Sequence, residues 1–163
     1  MLIAVGSLFS MLDANRKAQS LKSSTNNVAF ALENMSRQLR SGSNYHCGTG
    51  ALTTPLDCSS GGTQIAFEPY GGNTSNANDQ VVYRLFGTEI QRSVDGGATF
   101  LAITAPEVTI EELKFYVVGS LPNDFPMQQP KVVMTMRGYA GTTERTRSEM
   151  RLQTMITSRL LDE

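Results

Sequence analysis

The chain has 163 residues, and its 14 lysines and arginines offset 15 aspartates and glutamates to a formal charge of −1, which leaves no electrostatic footprint for a nucleic acid or an anionic membrane surface. Only 18 % of residues are charged, below the roughly 25 % of an average domain, and Ser, Thr, Asn, Gln and Gly fill the difference. That balance suits a polar extracellular surface better than a cytosolic enzyme, and the length suits one domain with a real core.

The opening stretch, MLIAVGSLFSML, is too apolar for the polar start of an ordinary soluble domain. It is also too short to cross a bilayer as a helix, which takes roughly 20 apolar residues. A secretory signal would carry a basic front and a cleavage site of small residues, and these residues have neither. Residues 4–40 contain no proline and a single glycine, Gly6, and helix formers are frequent. After Leu12 the apolar positions recur at Leu21, Val28, Leu32, Met35 and Leu39, with Thr25 filling the gap. Steps of three and four make one stripe on a helix. The spacing predicts one helix of about 40 residues, roughly 55 Å long at 1.5 Å per residue. A kink is expected near Thr25-Asn26-Asn27, and Gly42 is expected to end the helix in the left-handed conformation. A helix of that length exceeds the diameter of such a domain, so part of it must project or pack against something else.

The next stretch, HCGTGALTTPLDC, holds both cysteines, Cys47 and Cys58, in a run rich in Gly, Thr and Pro. Such a loop can bring its ends together in a disulfide, worth roughly 3 kcal/mol in the chain-entropy model. Two free thiols, or a metal site with His46 as a third ligand, are the alternatives. Zinc sites usually show tighter ligand spacing, and no fourth ligand is evident. A disulfide would imply an oxidising compartment.

Beyond this loop the pattern turns to strands. TQIAFEPY reads as one, and DQVVYRLFGTEIQRSVDGGATFLAIT as three, joined by tight turns at Gly87-Thr88 and Asp95-Gly96. VTIEELKFYVV places Leu113, Phe115 and Val117 on one face. PNDFPMQQP is a proline-punctuated loop. KVVMTMRGY and EMRLQTMITSRLL supply two more strands, with Val132, Met134 and Met136 on one face of the first and Met150, Leu152 and Ile156 on one face of the second. Short connections favour antiparallel pairing. The expected fold is α+β: a long N-terminal helix packed on a mainly antiparallel β-sheet.

A search for chemistry finds little. The single histidine, His46, has no acid nearby in sequence, and the G-x-S-x-G, P-loop, G-x-G-x-x-G and H-E-x-x-H patterns are absent. Glu111 and Glu112 are strand neighbours that should point to opposite faces. Residues 73–79, NTSNAND, offer oxygens to a calcium ion, but the EF-hand pattern is missing and Asp79 is the tract's one acid, so a polar loop is expected. Asn73-Thr74-Ser75 formally matches a glycosylation sequon. The methionines of the last two strands read as core filler. No catalytic residue, metal or cofactor is expected.

Several stretches together carry a resemblance: LENMSRQLRSG closing the helix, VVYRLFGTEIQRSVDGGATFLAIT and VTIEELKFYVVG in the sheet, and RLQTMITSRLLD at the close. With the long helix and the cysteine loop, the chain resembles the type IV pilins and the pseudopilins of type II secretion, most of all the W-type minor pilins and J-type minor pseudopilins. Family precursors begin with a basic leader, then glycine, phenylalanine and a Thr-Leu-Ile-Glu run; a prepilin peptidase cuts after the glycine and methylates the new amino group. MLIAVGSLFSML resembles the second half of the family's membrane segment, so the resemblance implies that the leader and roughly ten further residues of a span are missing upstream. The family's glutamate near the mature start has no counterpart in these residues.

The resemblance implies a pilin-like fold and a minor structural subunit of a pilus or pseudopilus, not an enzyme. Residues 1–20 would be part of the membrane and filament segment. Residues 21–163 would be the head, made of an amphipathic helix (21–41), a disulfide loop (42–63) and a sheet region (64–163). Leu2, Ile3, Val5, Leu8, Phe9 and Leu12 would pack against lipid and then against the helices of other subunits. Leu21, Val28, Leu32, Met35 and Leu39 would face the sheet. The implied partners are other pilin or pseudopilin subunits, the bacterial inner membrane and, given a leader, the prepilin peptidase; the head would lie in the periplasm or on the cell surface. A competing expectation is a secreted or surface-bound adhesion module using residues 71–79. A hydrolase would need His46 to meet an acid through folding.

Overall fold

Residues with high helix propensity and no proline wind into one continuous helix, α1 (Leu2–Ser41), in the computed structural model of the chain. The structure describes residues 2–121, 129–141 and 147–159, with the side chains of residues 2–9 and 20 outside the description. Parts of the predicted 122–130 loop and of the last predicted strand therefore lie outside the described residues. At 40 residues, α1 is about 60 Å long. The backbone stays helical through Thr25, Asn26 and Asn27. The low propensity there is offset by tertiary contact: Asn27 Oδ1 accepts the backbone N–H of Ala105 at 2.9 Å.

The end of α1 corrects one expectation. Gly42 does terminate the helix, but the left-handed residue is Asn44, at φ 51°. Gly42 is demanded by space instead, because a Cβ there would overlap the ring of Phe67. The last carbonyls of α1, which lack helical partners, are met by tertiary groups. The Tyr45 hydroxyl lies 2.5 Å from Leu39 O and 2.7 Å from Gly42 O, the Ser158 hydroxyl donates to Gly42 O at 3.1 Å, and Arg159 N–H donates to Arg40 O at 3.0 Å. Burial pushes the Tyr45 phenol above its ordinary range, opposed by its hydrogen bond with Ser158. Tyr45→Phe keeps the ring and removes the donor. It is expected to destabilise the protein by about 0.5–1.5 kcal/mol, the net worth of one hydrogen bond, because Leu39 O keeps the Gly42 N–H and Gly42 O keeps the Ser158 hydroxyl; the loss is measurable as a lower urea midpoint at unchanged slope.

Among the described residues nine strands follow, in two antiparallel sheets rather than the one expected. The first has the order β1-β3-β4-β5-β6, from β1 (Ser43–Cys47), β3 (Gln64–Glu68), β4 (Val81–Phe86), β5 (Glu89–Ser93) and β6 (Leu101–Ala102). The second has the order β2-β7-β8-β9, from β2 (Cys58–Gly62), β7 (Val108–Val118), β8 (Lys131–Ala140) and β9 (Ser148–Thr157). Strands β1 and β2 occupy the stretch expected to be loop. Their sequences, SNYHC and CSSGG, are short and polar with little β propensity, and they are held by their neighbours' ladders rather than by their own preference. The turn at Gly87-Thr88 is tight, as expected. The one at Asp95-Gly96 is instead part of a seven-residue connection, 94–100, between β5 and β6.

That longer connection is organised by one carboxylate. Asp95 accepts from the Ser93 hydroxyl (2.5 Å), the Thr99 N–H (2.9 Å) and the Thr99 hydroxyl (2.5 Å). These bonds, led by the one from Ser93, hold its carboxyl down to about 2 from 3.8. A carboxyl depressed on folding stabilises the fold above its unfolded value and loses that contribution as pH falls toward the folded one. A carbon-13 NMR titration should place Asp95 near 2, and Ser93→Ala should move it up toward the unfolded value.

Strand β7 joins the layers. It touches β1, β3, β4 and β5 of the first sheet, while α1 lies across β8 and β9 of its own sheet. Leu113, Phe115 and Val117 of β7 and Val132, Met134 and Met136 of β8 alternate inward as their spacing predicted and join one core with Val28, Met35 and Leu39 of α1 and Tyr45, Ile65, Phe67, Tyr83 and Ile90 of the first sheet. On β9, Ile156 is buried and Met150 partly so, but Leu152 is exposed, which corrects the expected third member of that face. Strand β9 is the edge of its sheet, and its burial is correspondingly uneven.

Candidate interaction surface

Helix α1 divides into two lengths with different surroundings. Every residue from 10 to 19 is exposed, including Met11 at 72 % and Leu12 at 47 %. From Leu21 onward one face closes on the sheet: Leu21 is half-buried, Ser24, Val28, Ala31, Met35 and Leu39 are buried, and Leu32 packs against the core from its edge. The opposite face carries ions, among them an Arg37–Glu33 pair at 3.0 Å. Of the front residues expected to form an assembly face, Leu12 is exposed; the side chains of Leu2, Ile3, Val5, Leu8 and Phe9 lie outside the described ones, although their backbone is helical. Among the described residues no helix is long and apolar enough to cross a membrane.

The cysteine loop is a clasp between the sheets. Cys47, the last residue of β1, and Cys58, the first of β2, form a disulfide with Cα atoms 5.8 Å apart. The two sulfurs are bonded to each other, so neither the free-thiol nor the metal alternative describes this loop. Its intervening residues are tied down on both sides. Cys47 N–H donates to Leu56 O and Leu56 N–H to Tyr45 O, each at 3.0 Å. The Asp57 carboxylate accepts the N–H groups of Gly119 and Ser120 at 2.8 and 2.9 Å, and the Ser120 hydroxyl donates to Tyr45 O at 2.7 Å. His46 is buried, with Nδ1 2.7 Å from Thr54 O. A carbonyl only accepts, so Nδ1 carries the proton in this contact. The histidine thus fastens the loop to itself through Nδ1.

Glu111 and Glu112 share a face, contrary to expectation. The β7–β8 register slips between Ile110 and Glu112, a bulge that sets two residues of β7 against one of β8. Both carboxylates then approach Arg137, at 3.7 and 3.8 Å, and the cluster extends to Lys114 (2.9 Å from Glu112) and Arg147 (2.8 Å from Glu111). The hydrogen bond and charge of Lys114 hold the Glu112 carboxyl below its usual range. The pairs are largely exposed, where such contacts contribute at most about 1 kcal/mol each. Gly138 faces the bulge because a Cβ there would lie 2.5 Å from Thr109 O.

Apolar side chains stand out from several parts of the head: Tyr70, Phe86, Leu101 and Met155 are each more than half exposed. The tract expected to be a polar loop, 71–78, is exposed throughout. Among the described residues no group of three or more His, Cys, Asp or Glu is placed to hold a metal ion. Compared with protein-family models, with curated proteins and with solved structures, the chain matches none.

Proposed function

We propose that the chain is a minor structural subunit of a type IV pilus or of a type II secretion pseudopilus, with a pilin-like fold, assembling through the front of α1. The observation that carries this reading is the division of α1: a rear half sealed onto β8 and β9, and a front half whose residues 10–19 are exposed and continue an apolar start. Along that front half the described side chains, residues 10–19, are exposed rather than packed on the sheet. Bundling such halves from several subunits buries apolar surface at roughly 25 cal/mol per Å², while the heads face outward and are free to differ. The disulfide fits a periplasmic or surface location. On this reading the partners are other pilin or pseudopilin subunits and the inner membrane.

Leu12→Asp tests the reading without touching the head's core. In a bundle the new carboxylate would be buried and unpaired, at a penalty of several kcal/mol. The substituted protein is expected to keep the head's melting temperature and to disappear from filaments or their tip complexes in producing cells. Normal incorporation would contradict assembly through this face. The second reading, a secreted binding module, draws on the wholly exposed 71–78 tract and the protruding Tyr70. It predicts a free monomer in the medium whose ligand binding survives Leu12→Asp.

A further inference from the structure

Glu68 closes β3 and Gln80 directly precedes β4, so the β3–β4 register, which pairs Phe67 with Val81, sets them side by side on its next rung. Gln80 Nε2 donates to Glu68 Oε2. The connection between the two strands folds back over this rung: Asn73 N–H donates to Asp79 Oδ2 at 3.1 Å, and a Cβ on Gly72 would overlap Glu68 Oε1. Glu68 is 2 % exposed and Gln80 is fully buried.

Three oxygens in this small volume are buried without any hydrogen-bond partner: Glu68 Oε1, Asp79 Oδ1 and Gln80 Oε1. The neighbouring donors, Gln80 Nε2 and Asn73 N–H, are already engaged with the other carboxylate oxygens. Buried polar atoms are normally partnered, and an unmet one is expensive. Here two carboxylates and a carboxamide are gathered, and among the described residues neither carboxylate has an ion pair. Burial, and then the charge of Asp79, push the Glu68 carboxyl above its usual range, opposed by hydrogen bonding from the Asn73 backbone and the Gln80 side chain.

We propose that this cluster is a calcium site, with Glu68 Oε1, Asp79 Oδ1 and Gln80 Oε1 as its side-chain ligands. All three are hard oxygen donors, the two carboxylates match a double positive charge, and calcium accepts the irregular geometry that magnesium does not. Water and backbone carbonyls would complete the six to eight oxygens that calcium takes. The ion would clamp the 69–80 connection across the mouth of β3 and β4. Within the NTSNAND tract the Asn73 and Asn76 side-chain oxygens are engaged locally, Asn73 Oδ1 accepting from Ser75 N–H and Asn76 Oδ1 from Asn78 N–H, which leaves Asp79 as its ligand.

The test is thermal unfolding of the full chain, freed of metal with a chelator, at neutral pH. Added calcium is expected to raise the midpoint saturably, with a Kd on the order of 10⁻⁴–10⁻³ M as in extracellular modules. At ten times the Kd the folding equilibrium should shift about elevenfold, and magnesium should do much less. Glu68→Gln and Asp79→Asn should each abolish the calcium shift while melting no lower than the unsubstituted protein in chelator, since each removes one of two like charges. Should either variant fail to fold, calorimetric titration of the unsubstituted protein decides alone. An absence of calcium heat and of any calcium shift would overturn the site. So would variants that retain the shift, and a rise in chelator stability on Asp79→Asn without any calcium effect would identify a proton shared by the two carboxyls instead.

Discussion

Phe67→Ala is expected to destabilise the protein by about 3–5 kcal/mol, the range for removing a buried phenylalanine and leaving its cavity. Phe67 is fully buried and lies between two tyrosine rings, with centroids 6.2 Å from Tyr45 and 6.1 Å from Tyr83. Both neighbours reach from the first sheet to the end of α1. The Tyr45 hydroxyl meets the carbonyls of Leu39 and Gly42, and the Tyr83 hydroxyl donates to Gln38 Oε1 at 2.8 Å. Burial drives the Tyr83 phenol up to about 12, against the opposing pull of Arg92, so both hydroxyls stay protonated donors at any working pH. Phe67 therefore supports the row that fixes the helix end, and Gly42 is glycine because that ring fills the space beneath it. Urea unfolding measures the loss. Phe67→Leu, which keeps more of the volume, should lose distinctly less, and a change below about 1 kcal/mol for Phe67→Ala would mean the row collapses without loss.

The second large effect is that of the clasp. Replacing Cys47 and Cys58 together by serine opens a loop of about a dozen residues, worth roughly 3 kcal/mol in the chain-entropy model. At 2–4 °C per kcal/mol for a chain of this length, the melting temperature should fall by roughly 6–12 °C. The two sheets hold their own ladders on either side of the bridge, so the far-ultraviolet circular dichroism of the native state should be unchanged. A reducing agent should reproduce the shift in the unsubstituted protein and leave the serine variant unaffected. Loss of sheet signal below the melting transition would mean that β1 and β2 form only because the bridge holds them.

These residues also show what the sequence made legible. The rear stripe of α1, the alternation of β7 and β8 and the cysteine pairing are short-range patterns with strong physical periods, and each appears in the structure. Strands β1 and β2 were hidden because SNYHC and CSSGG lack apolar alternation; only long-range pairing makes them strands. The shared face of Glu111 and Glu112 was hidden by a bulge, which reverses the facing of a strand neighbour and carries no sequence mark here. The carboxylate cluster divides the same way. Asp79 was visible as the one acid of a polar tract, whereas Glu68, eleven positions earlier at the end of a buried strand, joins it only through the β3–β4 register. The apolar run that opens α1 is local and legible at once, and its described end, residues 10–12, is exposed. On the proposed reading, the helices of other subunits cover it.

That covering is the most direct test of filament assembly. A photo-crosslinking residue placed at Leu12, with a second at Phe9, would be activated in cells that produce the protein with its natural partners, and the adducts identified by mass spectrometry. Assembly through α1 predicts adducts to the apolar N-terminal helices of pilin or pseudopilin subunits, lost when those subunits are deleted. Adducts confined to soluble or medium components, with the protein recovered as a free monomer, would contradict it.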